Sequence, residues 1–285
     1  MAQLALLAAV TAGCSGDEGG DGATAPATST PTAPGDRPLV EVVDAGTGER
    51  RVLSLAPDDG ATSSSTVSVT QQVVRDEAPA ATLPPLTFPF GSTTEVADDG
   101  VVTLTRTYAE PTYDPAQASA ADERDLQPVL AELAGATSTV VVRPDGTTVE
   151  SSSGSESLQQ VDAQLRDLVP VLPTEPVGPG ARWTATSVTE VDGAVVDQVA
   201  TYTLTSLDGD AYVVEVSIEQ TYRRGEVEGV EVRSGRGTVT ARLEGSLGEL
   251  LPDSATGDVA TEISYVVQRQ VTQVRTTVAL ELTNA

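Results

Sequence analysis

From Arg182 onward the chain alternates apolar and polar side chains through one long segment after another. Arg182 to Val191 and Val195 to Leu207 are joined by Asp192-Gly193. Ala211 to Tyr222 follows Asp208-Gly209-Asp210, and Gly229 to Leu243, Ala255 to Val267 and Gln270 to Leu282 complete a meander. Strict alternation marks a strand with one buried and one wet face. These segments run to about 10–13 residues, against a usual mode of about 5–6. Long antiparallel strands in succession predict a mainly β fold whose sheet curves strongly, a half-open barrel rather than a compact sandwich.

The first half reads as shorter strands with two helices among them. Val40-Glu41-Val42-Val43 and Arg51 to Leu55 flank a Gly46-Thr47-Gly48 turn. Ser65 to Val74 alternates, Leu83 to Gly91 reads as a proline-broken loop, and Val101 to Tyr108 follows the turn Asp98-Asp99-Gly100. A hairpin is expected from Thr139–Arg143 and Thr147–Glu150 around Pro144-Asp145-Gly146. One helix is predicted near Ala121–Ala134, with Leu126, Val129, Leu130 and Leu133 on one face and Gly135 as its stop. Pro128 fits it only if the regular helix begins just before that residue. A second helix is predicted over Glu156–Val169. Its stripe is Leu158, Val161, Leu165, Leu168 and Val169, opposite Gln159, Gln160, Asp162, Gln164 and Asp167, and Pro170 and Pro173 end it.

Cys14 is the only cysteine, and it closes the apolar run Leu4 to Gly13. That run is too short to span a bilayer, which takes about 20 apolar residues, and fits a signal-peptide core of about 7–15. An apolar run, two small residues and a cysteine resemble the lipobox of bacterial lipoproteins. Thr11 stands where that family usually has Leu, and no Lys or Arg precedes Cys14. The resemblance implies removal of residues 1–13 and a lipid on Cys14, of the diacylglyceryl and palmitate type. It also implies a place on the outer, extracytoplasmic face of a cell membrane. Residues 15–38 hold Gly, Ser, Thr, Ala, Pro and Asp with no large apolar side chain. Such a segment cannot bury enough surface to offset its ordering entropy, so a disordered tether is expected at 14–38. A single β-rich domain is expected over 39–285.

Composition excludes several chemistries. There is no histidine and no lysine; all 16 basic residues are arginine against 42 acids, a net charge of −26. The Lys-free, Ala/Val/Gly/Asp/Thr-rich usage looks like that of a GC-rich genome. Zinc sites built on His or Cys, His-ligated haem, Ser-His-Asp and Cys-His catalysis, and disulfides within the chain are ruled out. The charge argues against nucleic-acid binding and against direct adhesion to anionic lipid headgroups. Dispersed as they are, the acids read as a soluble, self-repelling surface.

The remaining site candidates are weak beside structural readings of the same residues. Asp208 and Asp210 resemble Ca²⁺ ligands, but a Ca²⁺ loop needs about 6–8 oxygens, and Asp-Gly-Asp here joins two strands. Any pair among 42 acids can meet glycosidase spacing, and no motif singles one out. Trp183, the only Trp, reads as a large plug sealing one end of the β core, with a ligand-pocket wall as the alternative. No catalytic residue, metal ligand or cofactor motif is assigned, and no ligand-binding residue is identified.

Leu172-Pro173-Thr174-Glu175-Pro176-Val177-Gly178-Pro179-Gly180-Ala181-Arg182-Trp183 resembles a segment of a group of bacterial secreted proteins and lipoproteins of unknown function. In these, a Leu-Pro-x-x-Pro-Val-Gly-x-Gly-x-x-Trp run leads into a long β meander. The likeness covers about residues 60–283 and implies architecture more than activity. More loosely, lipobox, tether and curved sheet are similar to envelope lipid- and lipoprotein-carrier half-barrels. The expectation is therefore a non-enzymatic, membrane-anchored lipoprotein. It would hold a lipid or other apolar ligand in its curved sheet, or act as an envelope protein-interaction module with a filled core. A carboxylate-based hydrolase is the remaining alternative.

Overall fold

The computed structural model of the protein describes residues 37–284 apart from 77, 167, 192, 193, 228, 229 and 268. Cys14 and the segments 1–13 and 14–36 lie outside the described residues. The strands are β1 (Leu39–Asp44), β2 (Thr62–Arg75), β3 (Ala81–Thr82), β4 (Leu86–Val96), β5 (Val102–Tyr108) and β6 (Thr112–Tyr113). Helix α1 (Ala120–Leu133) precedes the hairpin β7 (Thr137–Val142) and β8 (Thr148–Ser153), and α2 (Glu156–Arg166) follows it. The meander is β9 (Arg182–Val191), β10 (Ala194–Asp208), β11 (Ala211–Tyr222), β12 (Gly225–Val227), β13 (Val230–Ser246), β14 (Ser254–Val267) and β15 (Gln270–Asn284). All belong to one antiparallel sheet in the order β1-β9-β10-β11-β13-β14-β15-β2-β4-β5-β7-β8, with β3, β6 and β12 paired beside this path. The sheet does not close on itself, as the strand lengths predict.

Where alternation is strict, side chains fall as expected. In β11, Tyr212, Val214, Val216, Ile218, Gln220 and Tyr222 face inward and the intervening residues face out. The main core joins Val67, Phe88, Leu104, Val140, Leu204, Leu243 and Leu282 of the sheet to Leu158 and Leu165 of α2. A smaller cluster of Ala194, Val196, Tyr222, Val232 and Ile263 lies at the other end of the long strands. The two are divided by a row of inward polar and small residues, Gln198, Gln220, Gly237, Thr261 and Thr276, each opposite the next. Gly237 leaves room for the Gln220 side chain there: a Cβ would stand 2.5 Å from Gln220 Oε1 and oblige that amide to move. Beyond this row the ends of β10, β11, β13, β14 and β15, with β12, form a wing.

Four expectations are corrected. Leu83–Gly91 is not a loop throughout, because β4 begins at Leu86 and runs through Pro89. Pro89 lies opposite Thr66 of β2, and its carbonyl accepts from Ala109 N on the other side. In a strand the N and C=O of one residue point the same way, so the missing N–H falls in the gap between β5 and β6, where no ladder needs it. Arg51–Leu55 is not a strand. It makes a single bridge from Arg51 to Val177 and runs as a strap that buries Leu53 and Leu55. Pro128 sits inside α1, not at its start; the helix is begun instead by Ser119 and Asp122 in a capping box. Pro128 and Arg124 are both exposed, so the carbonyl that loses its intrahelical donor has access to water. Asp162 is not on a solvent face of α2 but buried beneath it, 7% exposed.

A polar row within and a polar trough without

The Leu172–Trp183 segment is the seam between strap and sheet. Gly178 lies against the strap so closely that a Cβ would approach the Thr47 and Glu49 carbonyls to 2.6 and 2.8 Å. Trp183 is fully buried, stacks on Tyr202 with ring centroids 5.5 Å apart, and donates its indole N–H to the Val171 carbonyl at 2.7 Å. Trp183 is therefore the expected core plug. Its motif serves a close backbone crossing, since only residues without side chains fit between two carbonyl-lined segments.

Ser63, Ser92, Arg106, Ser138 and Ser153 stand directly opposite one another across β2, β4, β5, β7 and β8. Asp162 of α2 comes down onto this row. Its Oδ1 accepts from Arg106 Nη1 at 3.1 Å, Tyr108 OH at 2.6 Å and Ser138 Oγ at 2.8 Å, and its Oδ2 accepts from Ser153 Oγ. Arg106 is 1% exposed, and its Nε and Nη2 find no acceptor among the described residues. Burial pushes the Tyr108 hydroxyl well above its ordinary pKa, and the Asp162 charge pushes it further. The phenol therefore stays a donor at any physiological pH. One buried carboxylate held by four donors is suited to pinning the helix that carries it.

The outer face carries a second registered row. Thr201, Ser217, Thr240, Asp258, Ala279 and Thr70 lie opposite one another across β10, β11, β13, β14, β15 and β2. On one side runs Thr203, Glu215, Arg242, Thr256, Glu281 and Ser68; on the other, Val199, Glu219, Thr238, Ala260, Thr277 and Gln72. The small central row forms the floor of a trough. Two open depressions of about 420 and 430 Å³ adjoin along it and share Thr240 and Asp258. Strand spacing of about 4.8 Å gives the floor a length of about 24 Å. Arg242 Nη1 lies 3.6 Å from Glu215 Oε1, whereas Asp258, Glu219 and Glu281 find no ion pair among the described residues. The trough is rich in hydroxyls and acceptors and holds no aromatic side chain.

The residues singled out from sequence stand apart from both rows. Asp208-Gly209-Asp210 is a turn between β10 and β11, and Arg51 of the strap donates to the Gly209 carbonyl and, at 3.0 Å, to Asp210 Oδ1. Asp145 holds the β7–β8 turn by accepting from Thr147 N and Oγ1. No cluster of three or more potential metal ligands occurs among the described residues, and none of their helices is long and apolar enough to cross a membrane. Both polar rows escaped the sequence reading because each depends on strand register, which alternation alone does not supply. No known family profile matches the chain, and no curated protein is significantly similar to it.

Proposed function

We propose that the chain is a non-enzymatic, lipid-anchored protein of the extracytoplasmic face that acts as an interaction module. Cys14 carries the anchor and residues 14–38 the tether. The β-rich body presents its outer trough to an extended polar partner in the cell envelope. The observation behind this choice is the contrast between the two faces of one sheet. The inside is occupied by Leu55, Leu158, Leu165, Trp183, Leu204 and Leu243, all buried in the main core. An apolar carrier needs a cavity of about 300–1,000 Å³ in that place. The outside carries a registered floor, open along its length, with carboxylates that have no ion pair among the described residues and so favour a donor-rich partner and repel polyanions.

A benzophenone side chain placed at Ser217 in the intact envelope tests this reading. A discrete adduct is expected there, lost when Thr240→Trp fills the middle of the floor. An adduct untouched by Thr240→Trp, or equal labelling from exposed Glu110 off the trough, contradicts it.

A further inference from the structure

The arginines are not spread evenly over this acidic chain. Seven of the 16 lie in or beside the wing: Arg75, Arg223, Arg224, Arg233, Arg236, Arg269 and Arg275. With Asp76, Glu77, Glu190, Asp192, Asp197, Glu226, Glu228, Glu231 and Glu262 counted from sequence, the wing segments carry seven arginines against nine acids, while the whole chain carries −26. Four of these arginines are engaged in ion pairs, with Asp197, Glu231 and Glu262. Arg75, Arg233 and Arg269 are exposed and have no carboxylate partner among the described residues. Arg233 is the extra residue of a bulge in β13, and Arg269 stands in the β14–β15 turn at φ 67°. Beside that turn Val267 is 45% and Val271 51% exposed.

We infer that the tip of the wing is the membrane-facing end of the molecule. Arg75, Arg233 and Arg269 would meet anionic headgroups, and Val267 and Val271 would rest at the interface. The inference builds on the lipid anchor proposed above. If the 25 residues 14–38 behave as the proposed tether, a flexible chain of that length has a root-mean-square reach of roughly 25–30 Å and would keep the body near the surface. Leu39 of β1 lies opposite Thr186, from where β9 runs on into the wing, while Arg37 just before β1 donates to Asp145 in the β7–β8 turn. At such distances the sign of each face decides orientation. The acidic body is repelled within a Debye length of about 8 Å, and the near-neutral tip, whose exposed arginines have no carboxylate partner among the described residues, is repelled far less. The overall charge and the contact are therefore compatible, because repulsion of the rest selects the tip.

The test uses the full, lipidated chain in vesicles of phosphatidylcholine and phosphatidylglycerol. With Cys14 blocked by its lipid, Val271→Cys and, as a control in the trough, Thr240→Cys each accept a single fluorophore. Quenching by a headgroup-nitroxide lipid is expected to be at least twofold stronger at 271 than at 240. Arg233→Glu with Arg269→Glu is expected to remove the difference. Equal quenching at both positions, on protein that floats with the vesicles, overturns the wing contact alone. Protein that stays behind, with Cys14 itself taking the fluorophore, overturns the anchor and the contact together.

Discussion

Two polar rows cross the same sheet, one on each face, and they end differently. Of the inner row, Arg106, Ser138 and Ser153 lie beneath α2 and with Tyr108 give Asp162 four donors, while Ser63 and Ser92 bond each other. The outer row of Thr201, Ser217, Thr240, Asp258, Ala279 and Thr70 is covered by nothing in the described chain. Hydroxyls aligned by register are thus made structural in one place and left available in the other. The difference lies in whether an element of the chain brings a complementary charge to the row.

The largest effect should come from removing that charge. Asp162→Ala leaves Arg106 buried without a counterion and is expected to cost about 3–5 kcal/mol in urea unfolding, as for other broken buried pairs. A loss below about 1 kcal/mol would mean that the inner row is as open as the outer. Replacing both partners, Arg106→Met with Asp162→Leu, sharpens the point. The double variant should be more stable than Asp162→Ala by about 2 kcal/mol or more, because no orphan charge remains. If the two variants unfold alike, the hydroxyls and not the ion pair hold α2.

Alkaline pH gives a smaller, graded effect. The folded-state pKa of Tyr108 is raised by burial and by Asp162, and that of Tyr212 by burial and by Asp253 and Glu249. Groups raised in the fold contribute stability that is whole below the unfolded value of 10.0 and lost as pH climbs through the folded value. Urea midpoints should therefore hold steady to pH 10 and fall beyond it. Tyr108→Phe should flatten that fall only in part, since Tyr212 continues to titrate. A midpoint that does not move between pH 10 and 11 would contradict the burial of both phenols. The smallest effect belongs to the outer row, where Thr240→Ala and Thr256→Ala should stay within about ±0.5 kcal/mol of the parent, as exposed substitutions do. A large loss at either would make the trough a structural feature like its inner counterpart.

Much of the fold was legible because alternation is a local property. The meander from Arg182 onward needs no tertiary information to be divided into strands, and Trp183 announces itself as a plug by size alone. The errors occur where a neighbour decides. Pro89 is harmless only because β5 and β6 leave a gap beside it. Arg51–Leu55 has a strand's pattern but makes only the bridge from Arg51 to Val177, its apolar side chains Leu53 and Leu55 being drawn into the core instead. Asp162 belongs to the polar side of a helical wheel, yet α2 lies over serines and an arginine as well as over the apolar core. Neither row could be read from one segment, because each is assembled from five or six strands whose register is fixed by hairpins and bulges far apart in the chain. Cys14 and its tether lie outside the described residues, so the anchor rests on the lipobox resemblance.

An interaction module of this kind requires that the inside of the curved sheet be filled. Native mass spectrometry of the full protein, released from membranes in mild detergent, puts the question directly. The expected result is the mass of the chain with whatever is covalently attached at Cys14 and nothing more. A reproducible one-to-one complex with a further lipid would contradict it and return the apolar-ligand reading to first place.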